Sequence, residues 1–484
     1  MDFHVTLRGR THLSAEVYRQ LRAAVLDGRL RPGDSLPPTR ELAHRLAVSR
    51  NTVTNAYQRL IAEGFLTGRV GAGTFVTTEG TMPPQPRRAP GGALRPRAVW
   101  DALVPWNRDM FVEADYDFRV GLPDPRLFPW DAWRRLVARQ LRPARVRAGA
   151  YVDPAGHPRL REAIARHVGV SRSVRAAAED VVVTSGAQQA LDLVGRLLIE
   201  PCGPGTCVAV EDPGYPPVRL LFQSLGARMA PIPVDGEGIV VEALPSDARL
   251  VYVTPSHQFP LGMPMSLARR MALLSWAERH GAAVIEDDYD SEFRFDGRPL
   301  EPLQSLDRSG RVIYVGSFSK VLLPSLRLGF LVTPASLAPA LREAKALADW
   351  HGPPEAQVAL AQLIEEGLLA RHIRRMRETY RERRERLADA LRRYLPDQLA
   401  LLPASAGLHV GAFFQDRKLD TAALARRAFE VSLGLQPLLP FYRSNPRAGL
   451  ALGYGTIAAS KIDEGVRRLA ACLRVRPSRG SKAR

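Results

Sequence analysis

Val312-Ile313-Tyr314-Val315-Gly316-Ser317-Phe318-Ser319-Lys320 reads as a buried strand that runs out into a loop and ends on an amine. The chain holds 68 Lys plus Arg, yet only five are lysines, and Lys320 is the first of them. Upstream, Ala283-Val284-Ile285-Glu286-Asp287-Asp288-Tyr289 is a second apolar run that ends in carboxylates and a phenol. An amine able to form a Schiff base, with a carboxylate and a phenol delivered from a neighbouring strand end, predicts pyridoxal phosphate chemistry. Lys320 would supply the internal aldimine. Asp287 or Asp288 would face the pyridine nitrogen, keeping the ring protonated and so an electron sink. Tyr289 would bond the ring's phenolate oxygen. Arg327, in Leu326-Arg327-Leu328-Gly329, is placed to pair with the phosphate dianion.

From about Phe118 onward, strand-like runs alternate with helices. Strands are expected at Asp180–Thr184, Thr206–Val210, Leu250–Thr254, Ala283–Glu286 and Val312–Val315, with helices such as Gln188–Ile199 and Leu267–His280 between them. This predicts an α/β fold with a mainly parallel sheet, in which ligands sit at the strand carboxyl ends. There Thr184-Ser185-Gly186-Ala187-Gln188 joins a strand to a helix, and its free backbone N–H groups suit a phosphate. Glu211-Asp212-Pro213-Gly214-Tyr215 ends the next strand and offers Tyr215 as an aromatic face for a ring to stack on. Beyond Leu337 long helices dominate, followed by strand-like Leu408–Phe414 and Ala448–Gly453, which predicts a small C-terminal α+β subdomain.

Composition sets the bounds. At 484 residues the chain is too long for one domain. No run of about eighteen apolar residues offers a membrane span, and the first residues show no signal-peptide pattern. Cys202, Cys207 and Cys472 form no CxxC pair, so neither a disulfide framework nor a metal site is expected. The cytoplasm is the expected location. A net charge of +18 favours a polyanionic partner, although arginines such as those of Arg371–Arg393 also fit a solvated helix face.

The first eighty residues follow different rules. Residues 13–27 place Val17, Leu21, Ala24 and Val25 on one helical face and stop at Gly28. A second helix is expected at Thr39–Leu46, and a third at Arg50–Glu63 with Ser49 as its cap. Residues 65–76 read as a two-stranded hairpin with a Gly-rich tip. Three helices and a hairpin predict a winged helix-turn-helix, whose third helix inserts its N-terminal residues, here Ser49-Arg50-Asn51-Thr52, into the major groove.

Leu30–Val76, LRPGDSLPPTRELAHRLAVSRNTVTNAYQRLIAEGFLTGRVGAGTFV, resembles the GntR-type winged helix almost end to end. Phe118–Cys472 resembles the fold-type I aminotransferases through YVDPAGHPRLREAIARHV, TSGAQQALDL, EDPGYPPV, TPSHQFPLGMPM, IEDDYDSEFRF and GSFSKVLLPSLRLGF. The pairing resembles the MocR subgroup of GntR regulators. It implies a DNA-binding domain at 8–78, a Pro/Gly/Arg-rich linker at 79–112 and a cofactor domain at 113–476. For the head it implies DNA contacts at Arg40, Arg50, Asn51, Thr52 and the wing around Gly71 and Gly73, with Pro38 where a serine cap is common. For the cofactor it implies Asp287 at the pyridine nitrogen, Tyr289 at the ring oxygen, and Gly186, Ala187, Gln188, Ser317 and Arg327 at the phosphate. His257 and Gln258 occupy the segment where aminotransferases carry an asparagine to the ring oxygen. An effector carboxylate is expected at Arg447, with Arg443 as the alternative, and Pro217 stands where some members carry a second arginine. The resemblance implies a homodimeric regulator that binds double-stranded operator DNA and senses an amino compound, or pyridoxal 5'-phosphate itself, through the Lys320 aldimine. An active aminotransferase with an accessory DNA-binding head is the alternative.

Overall fold

The computed structural model describes residues 5, 7, 12–69, 71–77, 95–103, 112–142, 150–201, 205–297 and 301–474. These fall into two compact units that divide between Pro96 and Arg97. The linker expected at 79–112 lies largely outside the described residues; its described part includes a short helix, Val99–Ala102.

In the first unit, helices Leu13–Leu26, Thr39–Arg45 and Arg50–Ala62 enclose a core of Val17, Leu21, Leu42, Val53, Tyr57 and Leu60. The apolar spacing already dictates this, since each helix buries one stripe. The wing has one strand more than expected. β1 (Ser35–Leu36) joins β2 (Leu66–Arg69) and β3 (Gly73–Val76) in the order β1-β3-β2. Two residues are too short a run to show alternation, which is why sequence reading missed β1. Pro38 stands just outside its helix, in extended backbone, rather than within the first turn. The Tyr57 hydroxyl donates to the Pro37 carbonyl at 2.9 Å and ties the turn to the third helix.

In the second unit β4 (Tyr116–Asp117) leads to a central sheet. Its strands are β5 (Val181–Thr184), β6 (Cys207–Asp212), β7 (Arg228–Asp235), β8 (Gly238–Ile239), β9 (Ala248–Val253), β10 (Ala283–Asp288), β11 (Val312–Ser317) and β12 (Gly329–Val332). They run in the order β5-β12-β11-β10-β9-β6-β7-β8. The sheet is parallel from β11 to β7, with β12 and β8 antiparallel. β7, β8 and β12 were not foreseen; β7 carries two prolines and alternates poorly. β10 and β11 both run two residues further than expected. Asp287 and Asp288 therefore lie within the strand, where successive side chains must point to opposite faces. The small C-terminal sheet, β13 (Leu399–Leu401), β14 (His409–Phe414), β16 (Gln436–Pro437) and β17 (Gly449–Gly453), packs in the order β13-β14-β17-β16, while β15 (Leu433–Gly434) pairs with β4. Among the described residues no helix is long and apolar enough to cross a membrane.

Candidate cofactor site and DNA-binding head

The carboxyl ends of the central strands open into a cavity of about 290 Å³. Its wall includes Ala187, Gln188, Tyr215, Asp287, Tyr289, Ser317, Lys320 and Arg327. Residues spread over 141 positions in sequence are thus gathered at one sheet edge. Gly186 is not among the lining residues; it directly precedes Ala187 at the cap of the helix. Its φ is 84°, and a Cβ there would stand 3.1 Å from the Arg327 guanidinium, so only glycine leaves the loop room. Arg327 itself donates to the Ser185 carbonyl. The loop opens the helix Ala187–Leu198, whose N-terminal N–H groups and dipole favour an anion.

The two neighbouring aspartates divide at β10. Asp287 Oδ2 accepts from the Tyr252 hydroxyl at 2.7 Å. Its Oδ1 is buried and has no hydrogen-bond partner among the described residues. Burial pushes the Asp287 carboxyl up to about 6, against the pull of Tyr252 and Lys320. Asp288 faces the other way: Arg172 Nε donates to its Oδ2 at 2.8 Å and the Tyr314 hydroxyl at 2.6 Å. Burial acts against its charge too, yet Arg172, Ser291 and Tyr314 hold it below the usual carboxylate range. Each aspartate keeps a buried Oδ1 with no hydrogen-bond partner among the described residues, but Asp288 is committed to a buried ion pair, and of the two only Asp287 lines the cavity.

Lys320 Nζ donates to the Gly121 carbonyl at 2.6 Å. Burial lowers its pKa, opposed by Asp290 and Asp287, which favours the neutral nucleophilic amine. The Tyr289 hydroxyl donates to the His257 carbonyl at 2.9 Å and lies 3.0 Å from His257 Nδ1, which also contacts Asp290 Oδ1 at 3.0 Å. Within the segment 257–259 it is Phe259 that lines the cavity, not His257 or Gln258. Gln258 Nε2 is spent on the carbonyls of Pro213 and Phe259. Arg447 lies outside the lining: it is exposed, and its guanidinium sits 3.9 Å from the centre of the Phe413 ring. Arg443 is exposed as well, its backbone N–H bonded to Asp212.

Several residues of this site escaped sequence reading. Tyr252 could have been found, because alternation along β9 sends it to the same side as the strand-end motifs. Asp290 follows β10 by two residues and adjoins Tyr289, whereas Gly121, His409 and Gln436 come from a loop and from the small sheet, and only the chain's return brings them there. Arg172 carries no local signal at all.

The residues present fit pyridoxal 5'-phosphate. A buried carboxylate oxygen awaits a donor such as a pyridinium N–H. A glycine cradle faces an arginine, as a phosphate requires, and a lysine amine stands on the same wall.

In the head, Ser49 caps the third helix, its Oγ accepting from Thr52 N at 3.2 Å. Arg40, Ser49, Arg50 and Asn51 are exposed, and the side chains of Arg40, Arg50 and Asn51 have no partner among the described residues. Thr52 is half-buried, its hydroxyl 2.9 Å from Ser49 Oγ. Gly71 and Gly73, with φ of 79° and 114°, form the exposed wing tip.

The GntR family of bacterial regulatory proteins matches residues 13–76, and the aminotransferase class I and II family matches residues 124–425. The probable rhizopine catabolism regulatory protein MocR of Rhizobium meliloti is 40% identical, over 96% of this chain and 94% of that one. The HTH-type transcriptional regulator TauR of Rhodobacter capsulatus is 35% identical, over 98% and 99%. Among solved structures, the α-aminoadipate aminotransferase LysN of Thermus thermophilus, complexed with N-(5'-phosphopyridoxyl)-L-leucine, matches with a TM-score of 0.67 at 34% identity, over 74% of this chain and 91% of that one. The fold and cavity define an aminotransferase-like domain behind a winged helix. The chain belongs to the MocR subgroup of GntR-family transcriptional regulators.

Proposed function

We propose that this regulator holds pyridoxal 5'-phosphate on Lys320 and binds operator DNA according to which amino compound, or whether the cofactor alone, occupies the cavity. The observation that carries the reading is the unpartnered Oδ1 of Asp287 facing a cavity that Lys320 and Arg327 also line. The bound cofactor supplies an aldehyde that condenses with primary amines. Arg327, Ser317 and the N–H groups of Gly186, Ala187 and Gln188 would hold its phosphate, Asp287 its ring nitrogen, Tyr289 its ring oxygen, and Tyr215 would stack on the ring.

On this reading residues 8–78 are the DNA-binding domain, 79–112 the linker and 113–476 the effector domain. Arg40, Ser49, Arg50, Asn51, Thr52, Gly71 and Gly73 would meet DNA, which places the protein's work in the cytoplasm. A homodimer is part of the proposal. Tyr151, 74% exposed, stacks on Trp350, 56% exposed, at 4.7 Å, with Leu347 88% exposed on the same helical stretch. Large exposed apolar surface of this kind favours a second copy as cover.

Purified protein is expected to carry a visible absorption band that survives dialysis, and its affinity for promoter DNA is expected to change when an amine shifts that band. A band that amines shift with no effect on DNA affinity would sink the sensor reading. Steady release of a keto acid from an amino donor, with DNA affinity unchanged, would favour a working aminotransferase, which the complete set of Lys320, Asp287 and Tyr289 also permits.

A further inference from the structure

The loop between β5 and the helix Ala187–Leu198 is held by side chains from three directions. Arg327 donates to the Ser185 carbonyl, and the Thr184 hydroxyl donates to the Gly186 carbonyl at 3.0 Å. From within the helix, Gln189 Oε1 accepts from Ser185 N at 2.8 Å. The other end of the same amide reaches 160 positions along the chain, where Gln189 Nε2 donates to Asp349 Oδ2 at 2.8 Å. Lys345, 1% exposed and one turn earlier in the helix Ala338–Asp349, donates to Asp349 Oδ1 and pairs with it. Every bond in this relay has one direction only. A backbone N–H can only donate and an ionised carboxylate only accept, so the Gln189 amide stands with its oxygen toward the loop and its nitrogen toward Asp349.

Asp349 has little room to give way. Its own carbonyl accepts from His351 N at 2.7 Å, which closes a three-residue turn on Trp350. Trp350 has φ 60° and ψ −74°, a turn conformation that is rare and strained for a residue with a side chain. Such strain persists only where the surroundings over-determine it, and here the Trp350 ring is stacked on Tyr151. The carboxylate is thus fixed by Lys345 on one side and by its own backbone on the other. Held in this way, Gln189 fixes the Ser185 peptide that leads into Gly186, Ala187 and Gln188. The first N–H groups of a helix have no partner within it, so their aim depends on the peptide that precedes them.

Resting on the proposed hold on pyridoxal 5'-phosphate, we propose that Gln189, backed by Asp349 and Lys345, is a positioning residue for the cofactor's phosphate. It acts through the loop rather than on the phosphate itself. It sets the Ser185 peptide, and with it the aim of the N–H groups that follow. Hydrogen bonds weaken steeply when misaligned, and these donors serve the phosphate alone. The ring is left to other residues of the wall, Tyr215, Asp287 and Tyr289. Loss of the relay therefore costs the protein its grip on phosphate, while its grip on the pyridine ring and the aldehyde stays. A purely structural part for Gln189 would weaken both alike.

The test compares two ligands that differ by the phosphate. Full-length apoprotein is titrated with pyridoxal 5'-phosphate and with pyridoxal, each followed by the visible absorption band. In Gln189→Leu, which keeps the size of the side chain, affinity for pyridoxal 5'-phosphate is expected to fall about tenfold or more, and that for pyridoxal by less than about twofold. Gln189→Glu sets a carboxylate against Asp349 and is expected to show the same selective loss. Gln189→Glu combined with Asp349→Asn exchanges donor and acceptor along the relay: the asparagine amide donates to the glutamate, and its oxygen accepts from Lys345. This double variant is expected to recover part of the preference for pyridoxal 5'-phosphate. An equal loss of both ligands, an unchanged preference in Gln189→Leu, or a double variant no better than Gln189→Glu overturns the proposal and leaves the cofactor reading intact. Failure of both single variants to form a band with either ligand assigns Gln189 to folding and overturns the proposal as well. A wild-type protein that forms no band with pyridoxal 5'-phosphate overturns both.

Discussion

The start of the recognition helix and the end of β10 use the chain in opposite ways. At Ser49–Thr52 consecutive polar side chains stand largely in solvent, and three of the four are exposed. At Glu286–Asp288 three consecutive carboxylates are buried, each 5% exposed or less. Glu286 accepts from the backbone N–H groups of Leu303 and Gln304 at 2.9 Å, Asp287 from Tyr252, and Asp288 from Arg172 and Tyr314. Exposed groups are free to act one at a time on a partner that arrives later. Buried groups are already committed, and the same residue type is driven in opposite directions by the face it lands on. Substitutions on the helix are therefore expected to be modest and separable, and those around the strand large and coupled.

The sharpest break is Lys320→Ala. It removes the amine and is expected to abolish the dialysis-resistant visible band entirely. The isolated head's contacts are untouched, so binding to nonspecific DNA at low salt is expected to persist. A band that resists dialysis in the variant would show another group holds the cofactor.

Arg172→Ala comes next. It leaves Asp288 buried and unpaired, a loss of about 3–5 kcal/mol, read as a fall in the denaturation midpoint of the large unit. Asp288 has a lowered folded pKa, so its stabilisation is present above the unfolded carboxyl pKa and is lost as pH falls through the folded one. The wild-type advantage over Arg172→Ala is accordingly expected to shrink on acidification. A deficit independent of pH would mean that packing, not the ion pair, is what Arg172 supplies.

Asp287→Asn inverts the usual sign. In the cofactor-free protein the folded Asp287 carboxyl titrates near 6, above its unfolded value. Its contribution to stability is complete below the unfolded pKa and is lost as pH rises through about 6. A shift of roughly two pH units corresponds to about 3 kcal/mol. The apoprotein of Asp287→Asn is thus expected to be more stable than wild type at pH 8 by up to that amount, and to converge with it near pH 4. It is also expected to lose cofactor faster on dialysis. Equal apoprotein stability at pH 8 would show that Asp287 carries no burial strain.

On the exposed side the effects are smaller. Arg50→Ala is expected to cost about 1–3 kcal/mol of operator affinity if Arg50 reads a base, with the loss confined to cognate sequence; a uniform loss across sequences would make it a phosphate contact. Ser49→Ala removes one helix cap and is expected to cost about 1 kcal/mol of stability in the head, measured by thermal melting.

Much of this was legible in the residues themselves. Apolar spacing marks the three helices of the head, Ser49 announces its cap, and the runs that end at Asp287 and Lys320 name both the strands and their chemistry. These are local signals, because helix and strand periodicity and capping act within a few residues. Local signals could not say that β12 inserts antiparallel beside β11, since pairing partners are set by the sheet as a whole. Nor could they separate Asp287 from Asp288 without resemblance. That choice waited on β10 continuing two residues further, so that alternation turns one carboxylate to the cavity and the other to Arg172. The sequence by itself determined the two domain types and the cofactor motifs, because each is written in a contiguous stretch. Only the tertiary structure decided what surrounds them: His409 and Gln436 reach the cavity because the small sheet folds back onto the large one, and no periodicity along the chain records that return.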